Sequence, residues 1–194
     1  FYAVRCLAGA ELPANAGLMR PITVTTRPGS VVDARPPAAV SAGNVETSQR
    51  LVDVVLRALA QVAPDRIPAA ASGSMNNVLF GGEGPDGRPF VHYETLGGGA
   101  GGGPAGPVAD GIHVHMTNTF NTPVEALEQA FPVRIERYAV RRERAQGPDG
   151  AAGGAGIIRA YRFLTAAEVT VISERRATAP WGLHGAPDAA LGHN

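Results

Sequence analysis

The pattern of apolar and polar positions predicts strands along most of the chain. Residues 2–7 and the β-branched run 22–26 both have strand character. Apolar-aromatic runs at 76–80 and 88–94 flank Pro85-Asp-Gly87, and a turn sequence between two such runs predicts a β-hairpin.

Three further strands are predicted in the second half of the chain. The alternation over 133–142 changes phase near Arg137, which indicates a β-bulge. Residues 157–164 and 169–174 are close enough in sequence that we expect them to pair as a second hairpin.

The longest predicted helix runs from residue 45 to residue 63. Asn44 is a suitable N-cap, and Pro64 ends the helix. The other positions are mostly apolar, so this helix is expected to be buried on most of its circumference. Its polar positions step by three or four and form one narrow stripe: Arg50, Asp53, Arg57 and Gln61.

A second, shorter helix is predicted over residues 122–130. Thr122-Pro-Val-Glu125 matches a capping box with proline at the first helical position, which explains Glu125 without a catalytic role. The predicted fold class is therefore α+β, with strand-rich mixed sheets packed on a long buried helix and a short capped helix. A length of 194 residues suits a single domain, 1–194.

Composition and charge exclude several classes of function. The formal net charge is zero, so the chain has no electrostatic signature of a nucleic-acid or anionic-membrane partner. All 17 basic residues are arginine, which excludes a Schiff-base lysine and a Walker-type phosphate loop. No apolar run has the length of a membrane span, and we expect a cytoplasmic protein. Abundant Ala, Gly, Pro and Arg without Lys indicates a GC-rich bacterial genome.

The single cysteine, Cys6, excludes a disulfide framework and a multi-cysteine metal site. It lies in an apolar run, and free cysteine is among the most buried residue types. We therefore expect a buried, unreactive thiol.

Residues 110–128 hold the densest group of hydrogen-bonding side chains. His113 and His115 alternate with apolar residues, which predicts a strand with both imidazoles on one face. A metal site would need more ligands than these two, with Asp110 as a candidate, and a hydrogen-bonded pair that orders the nearby loop is the other interpretation. Asn118 and Asn121 either present donors to a developing oxyanion or form Asx-turns.

Two charged residues outside this segment are also candidates. Glu94 ends a predicted strand beside a glycine tract, a position suited to acid–base chemistry, although an exposed salt bridge would explain it as well. Arg50, near the start of the long helix, is placed to clamp a carboxylate or a phosphate. The tract Leu96-Gly-Gly-Gly-Ala-Gly-Gly-Gly-Pro104 has neither a lysine nor a helix start after it, so a close-packed or mobile loop is expected rather than a phosphate cradle.

Several short motifs, taken in order over about 15–185, resemble the hydantoinase B/oxoprolinase family. They are Arg20-Pro-Ile22, Pro37-Ala-Ala-Val40, Gly43-Asn-Val-Glu-Thr-Ser-Gln-Arg50, Tyr93-Glu94, Asp110-Gly111, His115-Met-Thr-Asn-Thr-Phe-Asn-Thr-Pro-Val-Glu125 and Pro180-Trp-Gly-Leu183. The family includes the B component of ATP-dependent N-methylhydantoinase, the matching part of 5-oxoprolinase and a subunit of acetone and acetophenone carboxylases. One departure is the loop Glu143-Arg-Ala-Gln-Gly-Pro-Asp-Gly150, where family members usually carry a Ser-Gly-Gly sequence.

The resemblance implies that this chain is the C-terminal part of a longer hydantoinase B-type subunit. It also implies a partner, a hydantoinase A-type ATPase subunit that holds ATP and phosphorylates the substrate, after which the B component completes hydrolysis of a cyclic amide. Members carry a divalent metal on an upstream His/Asp motif; this chain has no copy of it, so we do not expect this chain alone to hold the metal.

Three hypotheses follow. The first is a hydrolase of cyclic amides, with Asn118, Asn121, His115 and Glu94 as catalytic residues, Arg50 and His113 as substrate-binding residues, and no metal ligand. The second is a related ATP-dependent ketone carboxylase subunit. The third is a truncated, non-catalytic fragment that serves assembly.

Overall fold

The computed structural model describes residues 1–9, 11–103, 106, 108–144, 146–147 and 151–194. Its α-helices are α1 (Tyr2–Ala8), α2 (Ala16–Met19), α3 (Ser48–Leu59) and α4 (Val124–Ala130), with a π-helical turn at Gly43–Thr47 and a 3-10 turn at Pro64–Arg66. Its strands are β1 (Asn77–Glu83), β2 (Pro89–Thr95), β3 (Val133–Val140), β4 (Ile157–Phe163) and β5 (Ala167–Ile172). This mixture of helices and antiparallel sheets confirms the predicted α+β class.

The first predicted hairpin is confirmed. β1 and β2 pair antiparallel, with Val78 opposite Glu94. The turn closes through the Gly84 amide, which donates to the Arg88 carbonyl at 2.8 Å, and through Asp86, whose side chain accepts from the Arg88 amide at 3.2 Å. Gly87 supplies the positive φ of 74° that this turn requires.

The predicted hairpin between β4 and β5 is wrong. β4 pairs with β3, whereas β5 pairs with the free edge of β1, which gives a three-stranded sheet of order β2-β1-β5 and a separate β3-β4 pair. The chain bends between the two strands and changes sheet, so nearness in sequence did not decide the pairing. The predicted bulge is confirmed, because the β3-β4 register shifts between Ile135 and Arg137.

An aromatic cluster joins the two sheets and α4. At its centre lies Phe80, which is 0% exposed. Leu127 and Val133 complete the buried group. Five rings surround Phe80 with centroid distances from 4.9 to 6.5 Å: those of Phe90, His92, Phe131, Tyr161 and Phe163.

Helix α3 is present, but its predicted burial is wrong. Its buried face carries the polar residues Gln49 and Asp53 beside Val52 and Leu56. The apolar side chains on the opposite face are exposed: Leu51, Val54 and Val55, with Val62 beyond the helix end. The orientation is set by hydrogen bonds that Gln49 and Asp53 make to distant segments, as described below, and these outweigh the apolar pattern.

Three local predictions near the N-terminus are also wrong. Residues 2–7 form helix α1 instead of a strand. Ala3 and Leu7 lie one helical turn apart, and both pack against Val52 and Leu56 on the buried face of α3. Cys6 is exposed, not buried as predicted. Residues 22–26 form no strand, since no neighbouring strand pairs with them and their side chains are largely exposed.

The glycine tract that follows Leu96 is close-packed along residues 97–103. The Gly99 carbonyl accepts from the Ser72 amide at 2.9 Å, and the Ala100 carbonyl accepts from the Gly154 amide at 2.8 Å. A Cβ atom on Gly99 would overlap the carbonyl oxygen of Gly154, so only glycine permits this approach. Residues 104 and 105, at and just beyond the end of this tract, lie outside the described part. Residues 145 and 148–150 of the loop 143–150 also lie outside it.

In the described part of the chain, no helix combines the length and the apolar character that crossing a bilayer requires.

Candidate functional site

The segment that carries the two histidines is an irregular connection, so the predicted strand over 112–116 is wrong. Ile112 makes only an isolated bridge to Gly98, and His115 has a positive φ of 57°. A left-handed residue reverses the side-chain alternation of a strand. His113 and His115 have different hydrogen-bond partners, although both line the hollow described below.

His115 is paired with a buried carboxylate. Its Nε2 lies 3.0 Å from Oδ1 of Asp53, a residue that is 2% exposed. The second oxygen of Asp53 accepts from Nη2 of Arg175 at 2.5 Å, and Arg175 also donates to the Ala179 carbonyl at 3.0 Å. Because an ionised carboxylate can only accept, the neutral His115 ring must carry its proton on Nε2, which leaves the lone pair on Nδ1.

Gln49 holds the main chain on both sides of His115. One helical turn before Asp53 on α3, its Nε2 donates to the Val114 carbonyl at 3.1 Å, and its Oε1 accepts from the Met116 amide at 3.3 Å. We refer to Gln49, Asp53, His115 and Arg175 as the Asp53 network. A histidine oriented by a buried carboxylate, with its flanking backbone fixed, is the arrangement that general bases commonly use.

Gly73 closes the Asp53 network from a neighbouring loop. It has a φ of 61°, and a Cβ atom there would lie 2.6 Å from Nε of Arg175 and 2.8 Å from Oδ2 of Asp53. The loop can approach the ion pair only because this residue has no side chain.

Sequence reasoning missed Gln49, Asp53 and Arg175. Asp53 was assigned to an exposed polar stripe, although a usable signal was present: Gln49 and Asp53, four residues apart, share a helix face with Val52 and Leu56. Two polar residues on an apolar face indicate buried hydrogen bonds. Arg175 had no such signal, because it lies 122 residues from Asp53 in sequence.

A hollow of about 440 Å³ lies beside His115. We call it the His115 hollow; its polar wall includes Tyr2, His113, His115, Thr117 and Asn118. Asn118 is exposed, and His113 lies with Nε2 3.3 Å from Oγ1 of Thr119. Burial lowers the pKa of His113, and a hydrogen bond with Asn121 opposes this shift. The structure thus brings three of the predicted site residues together: His113, His115 and Asn118.

Asn121 and Glu94 do not line the hollow; they belong to a second polar cluster, which Asn121 connects to His113. Asn121 accepts from the Gly97 amide at 3.1 Å and donates to the Tyr138 hydroxyl at 2.7 Å. Glu94 is buried, so an exposed salt bridge does not explain it. Its two oxygens accept from the Tyr161 hydroxyl at 2.5 Å and from the Thr122 amide at 3.1 Å.

Glu94 also neutralises a buried arginine. Nη1 of Arg159 lies 3.5 Å from Oε2 of Glu94, and the guanidinium stacks on the rings of Tyr138 and Tyr161. Burial, followed by the hydrogen bond to Glu94 and its charge, raises the pKa of Tyr161. This carboxylate therefore ties the end of β2 to β4 and to the segment that precedes α4.

The predicted capping box is not formed. Helix α4 begins at Val124 with Pro123 as N-cap and no side-chain cap bond, because the Thr122 amide donates to Glu94 instead. Glu125 remains exposed.

Arg50 lies on α3 and is half-buried, but it does not line the His115 hollow. Its Nη1 is buried without a hydrogen-bond partner in the described part of the protein. Its charge contributes to the lowered pKa of Arg175, for which burial is the first cause. The two guanidinium groups therefore lie near each other.

The described residues do not fit a metal centre. Among them, no three His, Cys, Asp or Glu side chains are grouped so that they could hold an ion. The nearest approach is the pair His115 and Asp53, whose facing atoms bond each other and Arg175.

Comparison with known proteins adds an independent line of evidence. The sequence model of the family described as hydantoinase B/oxoprolinase matches residues 1–194. The chain is 38% identical over 193 residues to 5-oxoprolinase 1 of Arabidopsis thaliana. It is 39% identical over 194 residues to the 5-oxoprolinase of Dictyostelium discoideum. Each match covers 100% of this chain and 14% of the relative. It is 30% identical over 182 residues to a protein of a Pseudomonas strain whose name describes it as the B component of a D-/L-hydantoinase, covering 94% of this chain and 30% of that protein.

The chain thus spans between about a seventh and a third of the length of these relatives. They include eukaryotic as well as bacterial proteins, so they do not support the expectation of a bacterial source. The match over every residue nevertheless settles the kinship that the motifs suggested: this chain belongs to the hydantoinase B/oxoprolinase family.

Proposed function

We propose that this chain is part of an ATP-dependent hydrolase of cyclic amides, of the hydantoinase or 5-oxoprolinase type. The family and the printed names of its relatives support this proposal. The chain acts together with a hydantoinase A-type ATPase subunit or domain, which holds ATP. A divalent metal, where the enzyme uses one, is held by residues outside this chain.

The observation that carries the proposal is the Asp53–His115 pair at the wall of the His115 hollow. In the ATP-dependent reaction the ATPase partner phosphorylates the oxygen of the ring carbonyl, and a water oxygen then attacks the ring carbon while a base takes up one proton of that water. Cleavage of the C–N bond leaves an acyl phosphate, which a second water hydrolyses to the carboxylate and phosphate. With its proton fixed on Nε2 by Asp53, His115 takes up this proton at Nδ1 and returns it to the ring nitrogen when the C–N bond breaks. Asp53 is a positioning residue in this scheme, because it acts through His115.

The other candidates take roles that match their surroundings. Asn118 offers its exposed amide N–H to the oxyanion that forms at the carbonyl, and His113 contributes to substrate binding from the same wall. Glu94 and Asn121 are fully occupied by protein partners, so they position the connection that carries the hollow. Arg50 does not line the hollow, so in this scheme it supplies positive charge beside Arg175 instead of contacting the substrate.

The test is an assay of ATP-dependent ring opening by the complete enzyme with its ATPase partner. We expect His115→Ala to lower kcat by about 10²–10⁴-fold, the usual contribution of a general base. Asp53→Asn should lower kcat with little change in KM and should change the pH profile of kcat, which a merely structural defect would not do. Phe120→Ala is the matched control, since Phe120 is 100% exposed on the same connection and should behave like the parent.

Two outcomes would reject the proposal. If His115→Ala turns over at the parental rate, the hollow is not the catalytic site. If the complete enzyme opens no ring but incorporates bicarbonate into a ketone, the carboxylase hypothesis replaces the hydrolase hypothesis.

A further inference from the structure

A second, larger cavity of about 1080 Å³ adjoins the His115 hollow, and the two share Ala69, Ala71 and Ala100 in their walls. Its wall includes Arg175, the other partner of Asp53, and the close-packed glycine tract 97–103. We call it the arginine-walled cavity, because five arginines line it against two carboxylates, Asp65 and Glu143: Arg141, Arg144, Arg159, Arg175 and Arg176. Four of these arginines already form ion pairs, with Glu143, Asp110, Glu94 and Asp53 respectively. Arg176 has no ion pair in the described part of the chain.

Several of these guanidinium groups are incompletely partnered. Arg159 and Arg175 have side chains that are 0% and 4% exposed. Nε and Nη1 of Arg159 and Nε of Arg175 have no hydrogen-bond partner in the described part of the chain. Arg176 donates to two uncharged oxygens, the Glu174 carbonyl at 3.1 Å and the Asn194 amide at 2.7 Å. Buried donors are normally satisfied, and an anion would satisfy these.

The wall also has an apolar part, besides polar residues such as Ser72, Asn76 and His193. Phe163, Val169, Val171 and Trp181 line it, and Val169 and Val171 are exposed although they belong to β5. A ligand that fills the cavity therefore needs an apolar body as well as an anionic group.

We propose that the arginine-walled cavity binds an organic anion with an apolar body, at a site separate from the His115 hollow. The site goes beyond the proposed hydrolase function, because neither His115 nor Asn118 lines it. Arg175 links the two places, since it belongs to the cavity wall and bonds the carboxylate that orients His115.

The test uses the fluorescent dye 1-anilinonaphthalene-8-sulfonate, which combines aromatic rings with a sulfonate. Trp181, the single tryptophan of the chain, lines the cavity and can transfer excitation energy only to dye bound nearby. We expect saturable quenching of Trp181 emission with sensitised dye emission, at one dye per chain. Inorganic phosphate should displace the dye more effectively than sodium chloride of equal ionic strength.

Two matched pairs of variants locate the dye. Arg176→Met should weaken dye binding about tenfold, as expected for one charge-assisted hydrogen bond. Arg88→Met, at an exposed arginine in the β1-β2 turn, should leave it unchanged. Val171→Asp places a negative charge in the cavity and should prevent binding, whereas Val91→Asp on exposed β2 should not.

The proposal is overturned if no energy transfer occurs, or if phosphate and chloride displace the dye equally. It is also overturned if both members of each variant pair, shown to be folded by circular dichroism, bind the dye alike.

Discussion

The aromatic cluster and the Asp53 network stabilise the molecule in opposite ways. Around Phe80, rings from two sheets fill space through contacts without strong directional demands. Around Asp53, side chains from three parts of the sequence meet through hydrogen bonds of 2.5 and 3.0 Å, and the position of each depends on the others. Both groups are buried, yet only the second holds its members at defined distances.

This difference teaches where substitutions will be tolerated. An aromatic cluster accepts another apolar side chain of similar volume at modest cost. A buried ion pair does not, because the removal of one partner leaves the other charge unpaired. Precision is needed at His115, and the network that surrounds it is the less tolerant of the two regions.

The largest effect should come from Phe80→Ala. Phe80 is fully buried among five rings, so this variant should lose about 4 kcal/mol of the free energy of unfolding, measured by chemical denaturation. Phe80→Leu keeps most of the volume and should lose about 1.5 kcal/mol or less. Equal losses for the two variants would show that the cluster is as demanding as the Asp53 network.

A smaller effect is expected for Gly73→Ala, which tests how tightly the Asp53 network is enclosed. Both Gly73 and Gly29 have positive φ, but only Gly73 faces Arg175 and Asp53, whereas a Cβ on Gly29 meets nothing within 4 Å. Gly29→Ala should cost about 1 kcal/mol of unfolding free energy through backbone strain alone. Gly73→Ala should cost about 2–3 kcal/mol, because strain and displacement of the ion pair combine. Equal losses of unfolding free energy in the two variants would mean that the Asp53 network rearranges around the added methyl group at little cost.

The smallest effect concerns His92, the imidazole in the aromatic cluster around Phe80. Burial lowers its pKa below the ordinary value of 6.5, while Glu94 raises it and Arg159 lowers it. The folded state therefore favours the neutral ring: this stability is fully present above pH 6.5 and is lost as the pH falls through the lowered pKa.

His92→Gln should accordingly lose less unfolding free energy than the parent between pH 7 and pH 5. The same replacement at exposed His184 should leave the parental pH dependence unchanged. A parental slope in His92→Gln would place the acid-sensitive group elsewhere.

The sequence predicted those elements whose causes are local. The Pro85-Asp-Gly87 turn contains its own hydrogen-bonding groups, and the phase change near Arg137 is visible in the alternation itself. Pairing between β1 and β5 could not be predicted in this way, because the partner edge lies about ninety residues away. The neighbouring β4 offered a nearer partner that the structure does not use.

The candidate site shows the same division. His113, His115 and Asn118 were found because they are close in sequence, and the structure keeps them on one hollow. Asp53 was placed on the wrong face of α3, since its burial depends on His115 and Arg175, which a helical pattern cannot reveal. Glu94 was selected for its place at a strand end, but its partners on β4 and before α4 became visible only in three dimensions.

The interlocked glycines have a practical consequence for anyone who divides this polypeptide into parts. Repetitive stretches such as 97–103 resemble flexible linkers, and they are the usual places to truncate a chain or insert a tag. Here the backbone of this stretch is bonded to residues 69, 72, 112 and 154. A cut or insertion there would separate segments that fold together, so the exposed β1-β2 turn at residues 85–87 is the better point of entry.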